Sequence, residues 1–244
     1  MKLIFGTMKF YKLCYPVDSE DVGNVSSQLG KIVKNSIPFL QNIDFSKETN
    51  ITESPIFNIE PKAKLSNFLS LPVLISSTPN LLIVDLKTKH LIEKFVLPKF
   101  KSFDILIFDK KNYQNYYLLH IFDKDGSNQF VDYEKTEFAF EMADYFAKAD
   151  NIEVVRFKNL DDYVKSLRNN FFNSNDNKIK YGRYNVKKLV FKNEVVDTDI
   201  FYLSSVCPGI YVSERLKSAI ERNILTGIRF IAVEDIVQPI PILH

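Results

Sequence analysis

Asp123, Asp125, Ser127 and Glu134 stand at positions 1, 3, 5 and 12 of the segment DKDGSNQFVDYE. These are ligand positions of an EF-hand calcium loop, which supplies oxygen donors at that spacing. Phe130 also occupies the apolar eighth position. Position 6 departs from the motif: the sharp bend there favours glycine, the chain has Asn128, and Gly126 comes too early. The preceding YYLLHIF is rich in aromatic and branched residues and reads as a strand, whereas an EF-hand needs an entering helix. A turn after a strand explains the Asp-Gly pair more simply, so no metal is expected.

Other chemistry has less material. His90, His120 and His244 lie at no metal-ligand spacing to one another or to Cys14 and Cys207. His120 falls in an apolar strand, where a core or edge histidine is the ordinary outcome. No histidine has a carboxylate partner beside a Ser or Cys in a recognisable turn, which leaves a hydrolytic triad without support. The GxSxG, P-loop and GxGxxG patterns are absent, and seven glycines leave little for cradling phosphates. The expectation is a chain with no catalytic residue and no cofactor.

Two stretches carry charge in patterns that suit a macromolecular partner. TEFAFEMADYFAKAD (136–150) reads as an amphipathic helix. At about 100° per residue, Phe138, Met142, Tyr145, Phe146 and Ala149 fall on one side, and Glu137, Glu141 and Asp144 form a stripe on the other. Most such stripes are wet helix faces. The functional alternative is a docking surface for a basic partner, recognised through complementary potential. KIKYGRYNVKKLVFK (178–192) interleaves Lys178, Lys180, Arg183, Lys187, Lys188 and Lys192 with Tyr181, Tyr184 and Phe191. A strand pair here could hold phosphates and stack bases. Outward lysines protecting a sheet edge account for it better, and a formal net charge of only +2 lacks the excess that a nucleic-acid footprint brings.

The elements that must position these residues alternate between strands and short helices, and they predict an α+β fold with mixed or antiparallel sheets. MKFYKLCY (8–15) reads as a strand, and residues 30–61, broken by Pro38 and Pro55, as loop-rich. LSNFLSLPVLISS holds a short helix or turn and then an extended piece. NLLIVD is a strand ending at Asp85, an N-cap whose carboxylate accepts the free N–H groups of the following helix. Leu91, Ile92 and Phe95 share that helix's apolar face, and Pro98 ends it. FDILIF and YYLLHIF flank a polar DKKNYQN, a hairpin signal. IEVVRF (152–157) is a strand, DDYVKSLRNN (161–170) a helix and NSNDNK a loop. YNVKKLVF and DIFYLSS are strands separated by a turn near Asn193.

The segment from Ile210 to Phe230 repeats the grammar of the Asp85 unit: strand, Ser213 as N-cap, a helix with Leu216, Ala219, Ile220 and Asn223 on one face, a turn at Gly227, and a strand. Asn223 is the expected left-handed residue at the helix end. Val84-Asp85 aligns with Val212-Ser213, and Ile92-Glu93-Lys94 with Ile220-Glu221-Arg222, at one offset. Two capped helices can resemble each other by chance. The sharper expectation is two related halves, residues 1–135 and 136–244, packed either separately or as a single domain.

The 244 residues, 45% hydrophobic and 14% aromatic, suffice for a packed core and argue against low-complexity disorder. Two cysteines are too few for a disulfide framework and predict reduced thiols. The N-terminal apolar run is too short for a secretory signal, and no run approaches a membrane span of about 20 residues. The expectation is a soluble, cytoplasmic protein.

The C-terminal segment resembles a bacterial family, the immunity proteins of polymorphic-toxin systems, long catalogued as a domain of unknown function. The matching features are Asp199, Ile200, Phe201 and Leu203 (D-I-F-x-L), Val212 to Lys217 (V-S-E-R-L-K) and Leu225 to Phe230 (L-T-G-I-R-F). Upstream, KFYKL, LSNFLSLPVLIS, YYLLHIF and VDYEKTEF follow the loose order of such proteins. The resemblance implies a non-enzymatic, cytoplasmic protein that binds and neutralises a toxin encoded beside it, and it transfers no catalytic residue. The toxin would then meet variable loops or helix faces, with Glu137, Glu141 and Asp144 the candidates. The rival function is a nucleic-acid-binding accessory protein using residues 178–192.

Overall fold

The structure, a computed structural model, describes residues 9–17, 19–32, 54–70, 80–121, 127–143, 153–172, 181–192 and 198–236; for 31–32, 141–143, 153, 170–172 and 181–183 it describes the backbone alone. Thirteen strands and three α-helices make up the described residues, in mixed and antiparallel sheets, so the chain is α+β as expected. Two compact units exchange segments along the chain: Met1–Gly126 with Val196–Tyr202 and Pro208–Ile231, and Ser127–Val195 with Leu203–Cys207 and Ala232–His244.

In the first unit, β1 (Phe10–Cys14) pairs antiparallel with β12 (Gly209–Ser213), Phe10 opposite Ser213. With β11 (Ile200–Leu203) and β13 (Arg229–Ala232) they form a four-stranded sheet in the order β11-β12-β1-β13. A six-stranded sheet orders β2 (Leu29–Ile32), β3 (Ile56–Ile59), β6 (Phe100–Asp109), β7 (Asn112–Ile121), β5 (Leu81–Val84) and β4 (Phe68–Leu69). The β3–β6 pair is parallel, while β2–β3, β6–β7, β5–β7 and β4–β5 are antiparallel. The β6–β7 hairpin is the expected one, closed by Lys110 and Lys111 between paired Asp109 and Asn112.

All four residues of β5 are buried because both faces of its sheet are covered. Leu81 and Ile83 join a core with Phe57, Phe103, Ile105, Ile107 and Leu118. Leu82 and Val84 face a second core with Phe68, Leu119, Ile121, Ile210 and Val212. Two short helices seal that second core: α1 (Leu86–Ile92), which follows β5, and α3 (Glu214–Arg222), which follows β12. Ile92 comes from α1, and Leu216 and Ile220 from α3. The two caps are alike. Asp85 (φ −75°, ψ 173°) accepts Thr88 N–H, and Ser213 (φ −67°, ψ 159°) accepts Leu216 N–H.

The two strand–cap–helix motifs therefore occur with the expected caps, but in one unit around one core. β12 pairs with β1, so the first unit draws on segments from both ends of the chain. Two helix ends also differ from expectation. α1 stops at Ile92, six residues before Pro98. Lys94 and Phe95 tighten onto Leu91 and Ile92 carbonyls, and Asp199 then draws Val96 into reciprocal bonds: Asp199 N–H to Val96 O at 2.7 Å, and Val96 N–H to Asp199 Oδ2 at 3.0 Å. At the end of α3, Asn223 keeps φ −86° because its side-chain amide donates to Ala219 O at 2.8 Å; Ile224 takes the left-handed position at φ 54°.

In the second unit, β8 (Glu137–Ala143) lies between β10 (Tyr181–Lys188) and β9 (Glu153–Val155), antiparallel to both. The residues from Glu137 to Ala143 are thus a strand and not the first two turns of a helix; residues 144–150 lie outside the described ones. β10 pairs β8 along its length and β9 pairs it from Phe138 to Phe140, so strand pairing can take the place of helical bonds there and the apolar spacing does not decide the matter alone. The packing does: Phe138 is buried among Tyr133, Phe157 and Tyr163, while Phe140 packs on Tyr184. Tyr163 belongs to α2 (Leu160–Phe172), the helix expected at 161–170. Its first turn is closed by Asn159 Oδ1, which accepts Asp162 N–H at 2.9 Å. The expected loop at 173–178 and the turn near Asn193 lie outside the described residues.

Candidate functional site

The motifs that carry the resemblance meet each other in the first unit. Asp199 opens D-I-F-x-L and is 1% exposed. Its Oδ1 accepts Ser213 Oγ–H at 2.5 Å and Arg215 Nε–H at 2.7 Å, and its Oδ2 accepts Arg215 Nη2 at 2.7 Å and Val96 N–H at 3.0 Å. Ser213 and Arg215 are the serine and arginine of V-S-E-R-L-K. Ser213 Oγ thus accepts the Leu216 N–H of the helix it caps while donating to Asp199. Burial alone would raise the Asp199 pKa, but hydrogen bonds from Arg215, Ser213 and Val96, with the charge of the guanidinium, hold it below the ordinary 3.8.

L-T-G-I-R-F meets LSNF in the same way. Asn67 Oδ1 accepts Thr226 N–H at 2.8 Å, Asn67 Nδ2 donates to Asp85 Oδ2 at 2.7 Å, and Phe68 N–H donates to Thr226 O at 3.0 Å. Gly227 has φ 89°, and a Cβ there would stand 2.1 Å from Phe68 O, so only glycine fits. Lys217 Nζ lies over the Tyr11 and Phe230 rings at 4.9 and 5.7 Å, fixing α3 on β1 and β13. These residues hold a scaffold together. Asp199 as a shared node could not be read from the sequence, since its bond to Val96 spans 103 residues.

The candidate binding residues fall in the second unit, where the acidic and basic segments lie side by side. Glu137 and Glu141 share one face of β8, being four apart on a strand. Glu137 stands opposite Lys188 and Glu141 opposite Arg183. Arg156 Nη2 also donates to Glu137 Oε1 at 2.5 Å, and the Glu137 side chain is 31% exposed. Glu137, paired with Arg156 and opposite Lys188, is therefore part of a mixed-charge surface. Asp144, Lys178 and Lys180 lie outside the described residues. Tyr184, a proposed base-stacking residue, turns inward: it packs on Phe140 and Phe157, and its hydroxyl is 2.8 Å from Ser166 Oγ. Lys188 and Lys192 are exposed.

Beside this sheet a cleft of about 640 Å³ is lined by Asp132, Glu134, Lys135, Lys158, Asp161 and Lys192, among others. Asp132 and Glu134 lie in the calcium-like segment and Lys192 ends the basic one, but no sequence spacing links these three with Lys135, Lys158 and Asp161. Lys135 Nζ is paired to Asp132 Oδ2 at 2.8 Å, and that hydrogen bond raises its pKa. Three lysines and three carboxylates balance, a composition that suits a protein surface of mixed charge better than a ligand of one sign.

Of the four ligand positions in the calcium-like segment, the structure describes Ser127 and Glu134. Asp123 and Asp125 lie outside the described residues, Ser127 is buried in a 3₁₀ turn (Ser127–Phe130), and Glu134 is exposed at the cleft. The element before it is β7, not a helix. Among the described residues no group of three or more His, Cys, Asp or Glu could hold a metal ion. His120 is fully buried in β7 and His90 is exposed on α1; His244 lies outside the described residues. Cys14 is half-buried and Cys207 buried, and they form no disulfide. No helix among the described residues is long and apolar enough to cross a membrane.

No family model and no curated protein matches this chain.

Proposed function

We propose that this chain is a non-enzymatic immunity protein of the polymorphic-toxin kind, acting in the cytoplasm by binding a toxin encoded beside it. The observation that carries the reading is the interlocking of the resembling segments. Ser213 and Arg215 both donate to Asp199, and Thr226 and Gly227 seat on Asn67 and Phe68. A likeness spread over four separated strings becomes a likeness of one scaffold, which supports common ancestry over coincidence. Neutralisation then requires only a complementary surface, and the mixed-charge face of β8 and β10 with the adjoining cleft offers one. Glu137, Glu141 and Asp144 remain the residues assigned to it, with Arg156 setting the local balance.

Co-expression with the product of the neighbouring open reading frame tests the proposal. Rescued growth and a stable complex are expected; their joint absence refutes it. Tight, salt-sensitive binding of DNA or RNA by the chain alone would instead favour the nucleic-acid reading of residues 178–192.

A further inference from the structure

β7 outruns one of its neighbours. β6 pairs it along its whole length, whereas β5, on its other side, pairs it only at residues 117–120. Among the described residues no strand lies beside residues 112–116 on that side. Tyr113 is 61% exposed, and Asn112, Gln114 and Asn115 are exposed as well. The backbone there points outward in a set pattern. Leu106 N–H donates to Pro55 O at 3.0 Å, away from β7, so Leu106 and its partner Asn115 form a non-hydrogen-bonded pair. The register runs without a break, which makes Phe108 and Tyr113 another such pair. The N–H and C=O groups of Tyr113 and Asn115 therefore face the open edge. Further along, the same parity sends Ile121 N–H to Asn80 O at 3.0 Å, on the β5 side.

Edges of this kind are ordinarily shielded by lysine, proline or a bulge, because free backbone groups invite another strand. Asn112, Tyr113, Gln114, Asn115 and Tyr116 include no charge and no proline, in a chain of which 25% is charged. The ladder to β6 has no bulge. One strand of matching length and chemistry is at hand: the same edge of a second copy. Set antiparallel about a two-fold axis through Gln114, it places Tyr113 of each copy opposite Asn115 of the other. These are the residues whose backbone groups face outward, so each pair exchanges both of its hydrogen bonds. Gln114 meets its own counterpart, and no like charges are opposed. On one face a row then runs from Phe108 and Tyr113 to Asn115 and Leu106 of the second copy. Phe108 already packs on Tyr113 at 5.0 Å, and the row covers the open side of that tyrosine.

We propose that this edge of β7 is a homodimer contact, in which two copies pair antiparallel about Gln114 and join their β6–β7 hairpins into one sheet. Both copies use the same edge, so the pairing closes at a dimer rather than growing into a filament. The inference goes beyond the immunity reading and does not depend on a toxin being bound.

Sedimentation equilibrium of the full chain and its Gln114 variants tests it. The wild type should show a monomer–dimer equilibrium between micromolar and submillimolar concentration. Gln114→Lys sets two like charges face to face and should weaken the dimer about fivefold or more, with Tm unchanged because the position is exposed. Residues in a non-hydrogen-bonded pair have Cα atoms about 4.5 Å apart, within disulfide reach, so Gln114→Cys should cross-link to itself under mild oxidation. Asn112→Cys, opposite Tyr116 in this register, should not, and the wild type with Cys14 and Cys207 is the control. A wild type that stays monomeric throughout that range overturns the proposal. So does a dimer that Gln114→Lys leaves unchanged, or one in which Asn112→Cys cross-links as readily as Gln114→Cys. Each of these leaves the immunity reading standing, since co-expression tests it separately.

Discussion

Asp199→Asn is the sharpest test of the scaffold, because it preserves shape and removes charge. The carboxylate is 1% exposed and accepts four hydrogen bonds, two on each oxygen. An asparagine amide placed at Oδ1 would confront Ser213 Oγ and Arg215 Nε; placed at Oδ2 it would confront Val96 N–H and Arg215 Nη2. Either way a donor meets donors. Hydrogen bonds to a charged group contribute about 1.5–3 kcal/mol each, and breaking a buried pair costs about 3–5 kcal/mol. Arg215 is 55% exposed and regains water when released, which places the expected loss near the lower end, about 3 kcal/mol. For a chain of this size that is a fall in Tm of about 6–12 °C, read by calorimetry with urea unfolding as a check. The acid limb gives a second readout. The folded-state pKa lies below 3.8, so the carboxylate's contribution is complete above that value and is lost as pH falls through the lower folded pKa. The gap between wild type and variant should therefore narrow in that acid window. A variant within about 0.5 kcal/mol of wild type at neutral pH, the range of an ordinary surface substitution, would refute the assignment of Asp199 as the node.

Two further predictions concern other parts of the core. Gly227→Ala should lose at least about 1–2 kcal/mol from the left-handed conformation alone, and more from the clash with Phe68 O, measured as a lower urea midpoint. In the second unit, burial and then the neighbouring Tyr184 push the Tyr163 phenol up from 10.0 to about 12. A raised folded-state pKa means that its contribution is present below pH 10 and is lost as pH rises through about 12. Tyr163→Phe should flatten that alkaline loss, and tyrosinate absorbance should show one late-ionising group fewer.

Local signals were legible where the structure depends on near neighbours. Asp85 and Ser213 cap as read, Leu216, Ala219 and Ile220 form the buried face of α3, and β6–β7 is the expected hairpin. What failed involved distant partners. The spacing of Phe138 and Met142 suits a helix until β9 and β10, both later in the chain, pair with β8. Pro98 is a sound stop signal, but α1 ends earlier because Asp199 captures Val96. Asn223 is the right residue type for a left-handed cap, yet its amide finds Ala219 O and moves that conformation to Ile224. The acidic and basic segments looked like rival sites, and their antiparallel pairing makes them parts of one face.

That last point changes how recognition must be sought. A sequence motif is conspicuous when several residues are fixed at set spacing, and in this chain such residues are fixed by bonds to one another. Asp199 cannot serve both a toxin and the helix start at Ser213, because its oxygens are already committed. Arg215 retains exposure but is held in a bidentate fork that a partner would have to break. On the immunity reading, the surface left for a partner is what these networks leave outside, such as the charged surface around Glu137 and Arg156. On that reading, substitutions at Asp199, Ser213 or Arg215 should lower partner affinity only in proportion to the folded fraction they remove, whereas charge reversal at Glu137 should lower it with the fold intact. Measuring affinity per folded molecule separates the two, and equal losses at both would break the division between scaffold and contact.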